Sequence, residues 1–216
     1  MHTTRNEMPK SWPIERKGTK YIATSSHSKN KSIPLLFIIR DLLNIAKTKR
    51  EAKQILNRGD AKVNGRVIKD ERLPIQIADL VCFEKIGKVY KLGIENKKFK
   101  MQEVNGKEAH SKIVKIIGKK LLQNKKYQIN LLDGQNIISD EKINVGDSVV
   151  LNLNTKKIEH ILKLDKNCNI EIIGGKYAGS KGKLDGIKHR ERGKKYLIKL
   201  KEKKMELPFD LIQAIE

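Results

Sequence analysis

The sequence predicts an α+β protein in which two short helices and a small sheet precede a long all-β region. Apolar residues recur at helical spacing between Ile33 and Leu43, which indicates a first helix with one buried side. Asn64-Gly65 is the strongest two-residue hairpin signal, because both turn residues must take positive φ. From about Val89 to Leu164, apolar residues alternate between turn signals, which is typical of a small barrel or sandwich.

Charge is the strongest functional indication in the composition. The 216 residues include 47 Lys and Arg against 25 Asp and Glu, a net charge of +22. Such a field concentrates polyanions around the protein. Nucleic acid is therefore the first expected partner, and an anionic membrane surface or another acidic partner is the second. The length is enough for two or three small domains.

Several classes of protein are disfavoured by what the sequence lacks. No apolar run approaches the ~20 residues that span a bilayer, and the N-terminus has no apolar core of a signal peptide. Cys82 and Cys168 are interpreted as unpaired core residues in a reducing compartment. Neither has a neighbouring ligand at metal-binding spacing and the five histidines are scattered, so we expect no metal and no cofactor.

Residues 1–32 are polar and basic, and they predict an extended arm that is disordered unless a partner holds it. Trp12 and Tyr21 stand out in this segment. Aromatic rings among cations suit stacking on bases together with phosphate contact. The cations around them are Arg5, Lys10, Arg16, Lys17 and Lys20.

Two helices and a hairpin are expected next. Ser32 and Pro34 are predicted to start the first helix, since proline is tolerated in a first turn. The second begins at the capping box of Thr48 and Glu51 and ends at Gly59. The hairpin around Asn64-Gly65 follows at once, and a strand over Ala78–Lys85 is expected to return alongside it. The basic residues of the helix end and the hairpin should therefore lie close together.

The central region shows no catalytic constellation. Its acids, Asp133, Asp140, Glu141 and Asp147, sit at or near turns, where such residues are usually structural. The segment Lys115–Lys126 fits either a short helix or a hairpin.

The C-terminal region has a glycine-rich basic loop between two apolar strands, followed by a closing hairpin. A phosphate-binding loop of the dinucleotide type would need a helix directly after it. Here the strand-like "KLDGI" follows instead. The glycines therefore suit a tight loop whose backbone approaches a ligand closely.

Three stretches carry a resemblance to known families. "TKREAKQILNRGDAKVNGRVI" resembles the small RNA-binding domain of the ribosomal protein S4 type, and "IEIIGGKYAGSKGKLDGI" resembles a KOW motif. "PKSWPIERKGTKY" followed by "SIPLLFIIRDLLNIA" is similar to the archaeal and eukaryotic small ribosomal subunit protein S4e family. Two departures are a loop "TSSHSKNKS" where that family more often has a Gly-Pro stretch, and a short C-terminus.

The S4e resemblance implies a four-part chain: an N-terminal arm (1–32), the S4-type domain (33–88), a central β domain (89–166) and a C-terminal KOW domain with an SH3-like barrel (167–216). It implies a structural protein of the small subunit in the cytoplasm, without catalysis. The implied partners are small-subunit rRNA and neighbouring ribosomal proteins, with no membrane and no small-molecule substrate.

The candidate site residues combine this resemblance with the basic arm. The candidate RNA contacts are Arg5, Lys10, Trp12, Arg16, Lys17, Lys20, His27, Lys31, Lys49, Arg50, Lys53, Arg58, Lys62, Asn64, Arg66, Lys176, Lys181, Lys183, Lys188, His189, Arg190 and Arg192. The candidate structural turn glycines are Gly59, Gly65, Gly174, Gly179 and Gly182. The alternative function is an RNA-binding accessory factor in RNA modification or transcription, since each motif alone also occurs in such proteins.

Overall fold

A computed structural model describes residues 2–104, 109–122, 126–141, 143–190, 193–200 and 203–215, with backbone only at 189–190 and 193–194. The chain divides into two compact units, residues 1–110 and 111–216. The content is mostly β with a few helical segments, which confirms the α+β prediction.

The N-terminal segment is folded against the first unit. Strand β1 (His2–Thr4) pairs antiparallel with β2 (Tyr21–Ala23), and a 3₁₀ turn (Arg5–Glu7) follows β1. Met8, Trp12 and Ile22 are buried. The prediction of an extended arm is therefore wrong for this segment, because three apolar side chains tie it to the core; residues 26–31 form an exposed loop.

The first helix is shorter than predicted. Ser32–Pro34 form strand β3, which pairs with β6 (Pro74–Gln76). Helix α1 (Leu35–Phe37) begins only after Pro34, whose ψ of 140° is extended, and it continues as a π-helical turn (Ile38–Leu42). The predicted start at Ser32 is wrong because that residue belongs to the sheet. The apolar stripe is buried as expected.

The first unit is completed by helix α2 (Lys49–Arg58) and a five-stranded sheet. Its strands are β4 (Ala61–Val63), β5 (Arg66–Val67), β7 (Leu80–Phe83), β8 (Lys88–Glu95) and β9 (Lys98–Val104), in the order β5-β4-β7-β8-β9. Asn64 and Gly65 have φ of 48° and 78°, and β7 pairs with β4, so the predicted hairpin and its returning strand are both present.

The boundary predicted after residue 88 does not separate two compact units. Strand β8 pairs with β7 from Lys88 onward, and β9 pairs with β8. The hairpin assigned to the central domain thus extends the sheet of the first unit, and the division falls after residue 110.

The second unit contains two five-stranded antiparallel sheets, of which the first has the order β12-β11-β10-β13-β14. Its strands are β10 (Ser111–Leu121), β11 (Tyr127–Leu131), β12 (Asn136–Ser139), β13 (Ser148–Asn152) and β14 (Ile158–Leu162). Its core includes Val114, Ile116, Ile129 and Val149. The segment that fitted a helix or a hairpin is a hairpin, with Leu121 opposite Tyr127.

The second sheet has the order β18-β17-β16-β15-β19. Its strands are β15 (Asn169–Ile172), β16 (Lys181–Arg190), β17 (Gly193–Lys199), β18 (Lys204–Pro208) and β19 (Ile212–Ala214), with a 3₁₀ turn (Phe209–Leu211) before the last. The closing hairpin is β17–β18. Gly182, predicted as a turn glycine, is wrongly placed by that prediction, because it lies on β16. A Cβ there would lie 2.8 Å from the Lys199 carbonyl oxygen, so its close approach is to the backbone of β17.

Among the described residues, Cys82 and Cys168 are free, half-buried thiols. Burial raises the pKa of the Cys168 thiol, and the nearby Asp165 charge adds to that effect. No helix in the described ranges is long and apolar enough to cross a membrane.

Candidate nucleic-acid interface

Helix α2 presents its charged side chains to solvent because its apolar residues share the opposite side. The Thr48 hydroxyl accepts the Glu51 N–H (3.2 Å), and the Glu51 carboxylate accepts the Lys47 N–H (2.8 Å), which fixes the first turn. Ala52 and Leu56 are fully buried. The remaining face carries Arg50, Lys53 and Arg58, all exposed.

The end of α2 is joined closely to the hairpin. Gly59 has φ of 82° and caps the helix. A Cβ built on Gly59 would lie 3.5 Å from Val67 Cγ1, so the last turn of α2 lies against β5. Arg66, next to Val67, is exposed beside this contact. The expected proximity of the basic helix end and the basic hairpin is therefore present.

Ion pairing divides the cations of this region into two groups. Lys49 Nζ lies 2.8 Å from the Glu71 carboxylate, and Lys62 pairs with Glu84, whose hydrogen bond and charge raise the pKa of Lys62. In contrast, four exposed cations have no ion-pair partner within the part of the chain that the structure describes. We define these as the open cationic face: Arg50, Lys53, Arg58 and Arg66.

A cleft beside Lys53 adds cations that sequence reasoning missed. It has a volume of about 530 Å³, and its lining includes the cations Lys53, Lys69 and Arg72 as well as the acids Asp70 and Glu71. Lys69 and Arg72 follow the hairpin in "VIKDER", after the stretch that resembles the S4-type domain. Only the fold, which places the 69–72 turn beside α2, shows that they lie near Lys53. The local sequence carries no signal for that placement.

Two candidates from the N-terminal segment have structural roles. Trp12 is 1% exposed, donates its indole N–H to the Ser32 carbonyl (2.8 Å) and packs edge-on against Phe37. Its predicted stacking on RNA is therefore wrong, since no face of the ring is free. Arg5 holds its own loop through the carbonyls of Thr19 (2.7 Å) and Glu15 (2.5 Å).

The other candidates before β3 lie at the surface. Lys20 places Nζ 5.3 Å from the centroid of the Tyr21 ring. The exposed candidates are Lys10, Arg16, Lys17, Lys20, His27 and Lys31.

Asn64 also has a structural role. Its side-chain amide donates to Asp79 (2.8 Å) and its oxygen accepts the Leu80 N–H (3.0 Å), which ties the turn to β7. The candidate RNA contact at Asn64 therefore has its donor and acceptor already engaged within the fold.

The C-terminal candidates are spread over the loop before β16 and along that strand. Gly174 and Gly179 lie in the loop between β15 and β16, together with exposed Lys176. Lys181 and Lys183 are exposed on β16, and Lys188 pairs with Glu206 (2.9 Å). The side chains of His189 and Arg190, and all of Arg192, lie outside the described residues.

The acids of the second unit support the fold. Asp147 is buried and accepts the Leu164 N–H (3.0 Å) and the Asn144 N–H (3.2 Å), while Asp133 pairs with Lys112 (2.8 Å). In the described ranges, no group of three His, Cys, Asp or Glu is placed to hold a metal ion.

Relatives of this chain match most of its length. A curated relative from Methanosphaera stadtmanae, the small ribosomal subunit protein eS4, is 36% identical over 197 residues, covering 89% of this chain and 82% of the relative. The eS4 of Archaeoglobus fulgidus is 34% identical, covering 87% of this chain and 80% of the relative. The chain belongs to the S4e family of ribosomal proteins.

Two further comparisons agree with the S4e assignment. The family model described as ribosomal family S4e matches residues 87–158, from β8 to the start of β14. The crystal structure of the 30S ribosomal protein S4e from Thermoplasma acidophilum superposes with a TM-score of 0.75 at 26% identity, covering 87% of this chain and 96% of that chain. The resemblance inferred from sequence is confirmed, as is the expectation of a protein that is not an enzyme, because S4e proteins are structural.

Proposed function

We propose that this S4e protein is a structural constituent of the small ribosomal subunit and binds small-subunit rRNA through the open cationic face. Its place is then the ribosome in the cytoplasm, beside neighbouring ribosomal proteins. The observation that carries this proposal is the set of four exposed, unpaired cations on one helix and the hairpin packed against it.

The physical argument concerns what each cation must give up. A cation already paired with a carboxylate loses that partner when it meets a phosphate, so the net gain is small. Arg50, Lys53, Arg58 and Arg66 lose no such partner. Each phosphate that they neutralise releases condensed counterions, which favours binding and makes it salt-dependent. The Thr48 and Gly59 caps fix the helical backbone that carries Arg50, Lys53 and Arg58 in the free protein. Binding therefore does not have to supply the entropy cost of ordering that backbone.

We propose domain assignments from the strand order and from the family resemblance. The first unit contains the S4-type RNA-binding domain, extended by the β8–β9 hairpin. The second sheet of the second unit is the KOW domain with an SH3-like barrel. The antiparallel strand order and the loop of Gly174, Lys176 and Gly179 between β15 and β16 support the KOW assignment.

The test is a pair of double charge reversals measured as affinity for small-subunit rRNA fragments over a salt series. Arg50→Glu with Lys53→Glu should weaken binding by more than about tenfold. It should also make log affinity less steep in log salt, by roughly 0.9 per lost phosphate contact on the scale that holds for duplex DNA. Lys49 is excluded because its reversal would also break the pair with Glu71.

The matched control is Lys97→Glu with Lys98→Glu, which changes the net charge equally. Lys97 is exposed in the β8–β9 turn and Lys98 is exposed at the start of β9, and neither forms an ion pair in the described structure. Long-range steering depends mostly on total charge, so it predicts equal losses for both doubles. Equal affinity and equal salt slope in the two variants would refute the open cationic face as the binding surface.

A further inference from the structure

A second cleft of the first unit combines an exposed aromatic ring with cations. This Tyr21 cleft has a volume of about 260 Å³ and lies beside the β1–β2 hairpin. Its lining includes Tyr21, His2, Arg40, Lys49 and Arg72, together with the acidic residue Glu71.

The Tyr21 ring lies on the solvent side of strand β2. It is 51% exposed, although its neighbour Ile22 is buried. The His2 ring meets it edge-on at 4.6 Å between centroids, and Lys20 Nζ lies 5.3 Å from its centroid. Lys20 Nζ therefore lies over the ring and the His2 ring meets it at an angle of 73°, while about half of the residue stays exposed. An exposed ring among cations is the arrangement on which unpaired bases stack.

The charges in the cleft leave one arginine uncompensated. Lys49 is paired with Glu71 (2.8 Å) and Arg40 with Asp41 (2.9 Å). The Arg72 side chain has no hydrogen-bond or ion-pair partner among the described residues. Arg72 also lines the cleft that contains Lys53 of the open cationic face. Glu71 lines both clefts as well, and its carboxylate is paired with Lys49, so a nucleic-acid strand on the open cationic face can reach the Tyr21 cleft past Arg72.

We propose that the Tyr21 cleft binds one unpaired nucleotide of the RNA, with its base stacked on Tyr21 and its phosphate beside Arg72. This inference rests on the proposed rRNA binding and adds a requirement for a single-stranded element. Duplex RNA keeps its bases stacked inside the helix, so it offers the ring nothing to stack on.

The test compares a short single-stranded oligouridine with an RNA duplex of the same length, by fluorescence anisotropy at one salt concentration. Tyr21→Ala should weaken binding of the single strand by about tenfold, the usual effect of removing one base-stacking ring, and leave duplex binding unchanged. Tyr21→Phe keeps the ring and should bind both RNAs as the wild type does. Ultraviolet crosslinking of thiouridine-containing RNA should label the peptide that contains Tyr21.

Two controls make the result decisive. Ile86→Ala removes an exposed apolar side chain (44% exposed) from the same unit and should change neither affinity. Circular dichroism checks that Tyr21→Ala leaves β2 folded. If Tyr21→Ala binds both RNAs like the wild type, or weakens both equally, the nucleotide site is refuted. If instead the wild type fails to bind small-subunit rRNA, the proposed function itself fails.

Discussion

Cations are used in opposite ways on the open cationic face of the first unit and on strand β10 of the second unit. The open cationic face of the first unit carries exposed cations without partners. On β10 of the second unit, Lys112 and Lys115 are each 1% exposed. Lys112 Nζ lies 2.8 Å from the Asp133 carboxylate. Lys115 Nζ donates to the carbonyls of Phe209 and Ile212 and lies 3.4 Å from the centroid of the Phe209 ring.

The difference shows that net charge does not locate a binding surface. A buried ammonium group must be compensated inside the protein, because its desolvation otherwise costs several kcal/mol. An exposed cation has no such requirement and remains available to a phosphate. The cations behind the net charge of +22 therefore include some that hold β10 to its neighbours and others that are available to a phosphate.

Breaking the buried pair tests this contrast with the largest effect. Lys112→Met leaves Asp133, whose side chain is 7% exposed, without its counterion. We expect a loss of about 3–5 kcal/mol in the free energy of unfolding, measured by urea denaturation. Lys53→Met on the open cationic face should change that free energy by less than about 0.5 kcal/mol.

Replacing both Lys112 and Asp133 by apolar residues distinguishes the cost of an unpaired buried charge from the cost of altered packing. Lys112→Met with Asp133→Leu removes the uncompensated charge, so much of the lost stability should return. Equal small effects of Lys112→Met and Lys53→Met would show that the burial of Lys112 carries no energetic consequence and would remove the contrast between the units.

The burial of Lys115 should make the stability of the protein depend on pH. Burial lowers the pKa of Lys115 from 10.5 to about 8, against the opposing charge of Asp210. Between these two values the unfolded chain binds more protons than the folded protein, so stability should rise with pH from about 8 to 10.5. The rise is at most about 3 kcal/mol, since one unit of pKa shift corresponds to about 1.4 kcal/mol.

The measurement is the free energy of unfolding by urea across that pH range, in the wild type and in Lys115→Met. The difference between the two proteins at each pH isolates the Lys115 amine from the other titrating groups. The wild type should gain stability relative to the variant as pH rises. A flat or falling difference would show that the two carbonyl acceptors and the Phe209 ring hold the charged form, and that burial is not the dominant influence.

The elements that sequence predicted best are those fixed by local chemistry. The Thr48 cap, the Gly59 stop and the Asn64-Gly65 turn each depend on residues within a few positions of one another. Their short-range rules do not need the rest of the fold.

The features that sequence missed depend on distant contacts. The burial of Trp12 follows from Ser32 and Phe37, and the ion pair of Lys49 depends on Glu71. Strand β8 belongs to the first unit because it pairs with β7, although its alternating pattern is the same as that of the later strands. A lysine on β10 looks like a lysine on α2 until the neighbours of each are known.

The smallest expected effect tests whether the open cationic face depends on the rigidity of α2 or only on its charges. Thr48→Ala removes the hydroxyl that accepts the Glu51 N–H but leaves every charge in place. Loss of such a cap costs about 1 kcal/mol of stability, which urea denaturation can measure. Thr155→Ala is the control, since Thr155 is exposed in a turn of the second unit and only its backbone N–H bonds to Asn152.

If the face acts as a rigid array, Thr48→Ala should weaken rRNA binding by a few-fold at most, because the first turn frays in a minority of molecules. The slope of log affinity against log salt should stay at the wild-type value, since the number of neutralised phosphates is the same in the molecules that bind. A reduced slope, like that expected for Arg50→Glu with Lys53→Glu, would mean that losing the cap also removes phosphate contacts. The position of the first turn, and not only its charge, would then determine which cations reach the RNA.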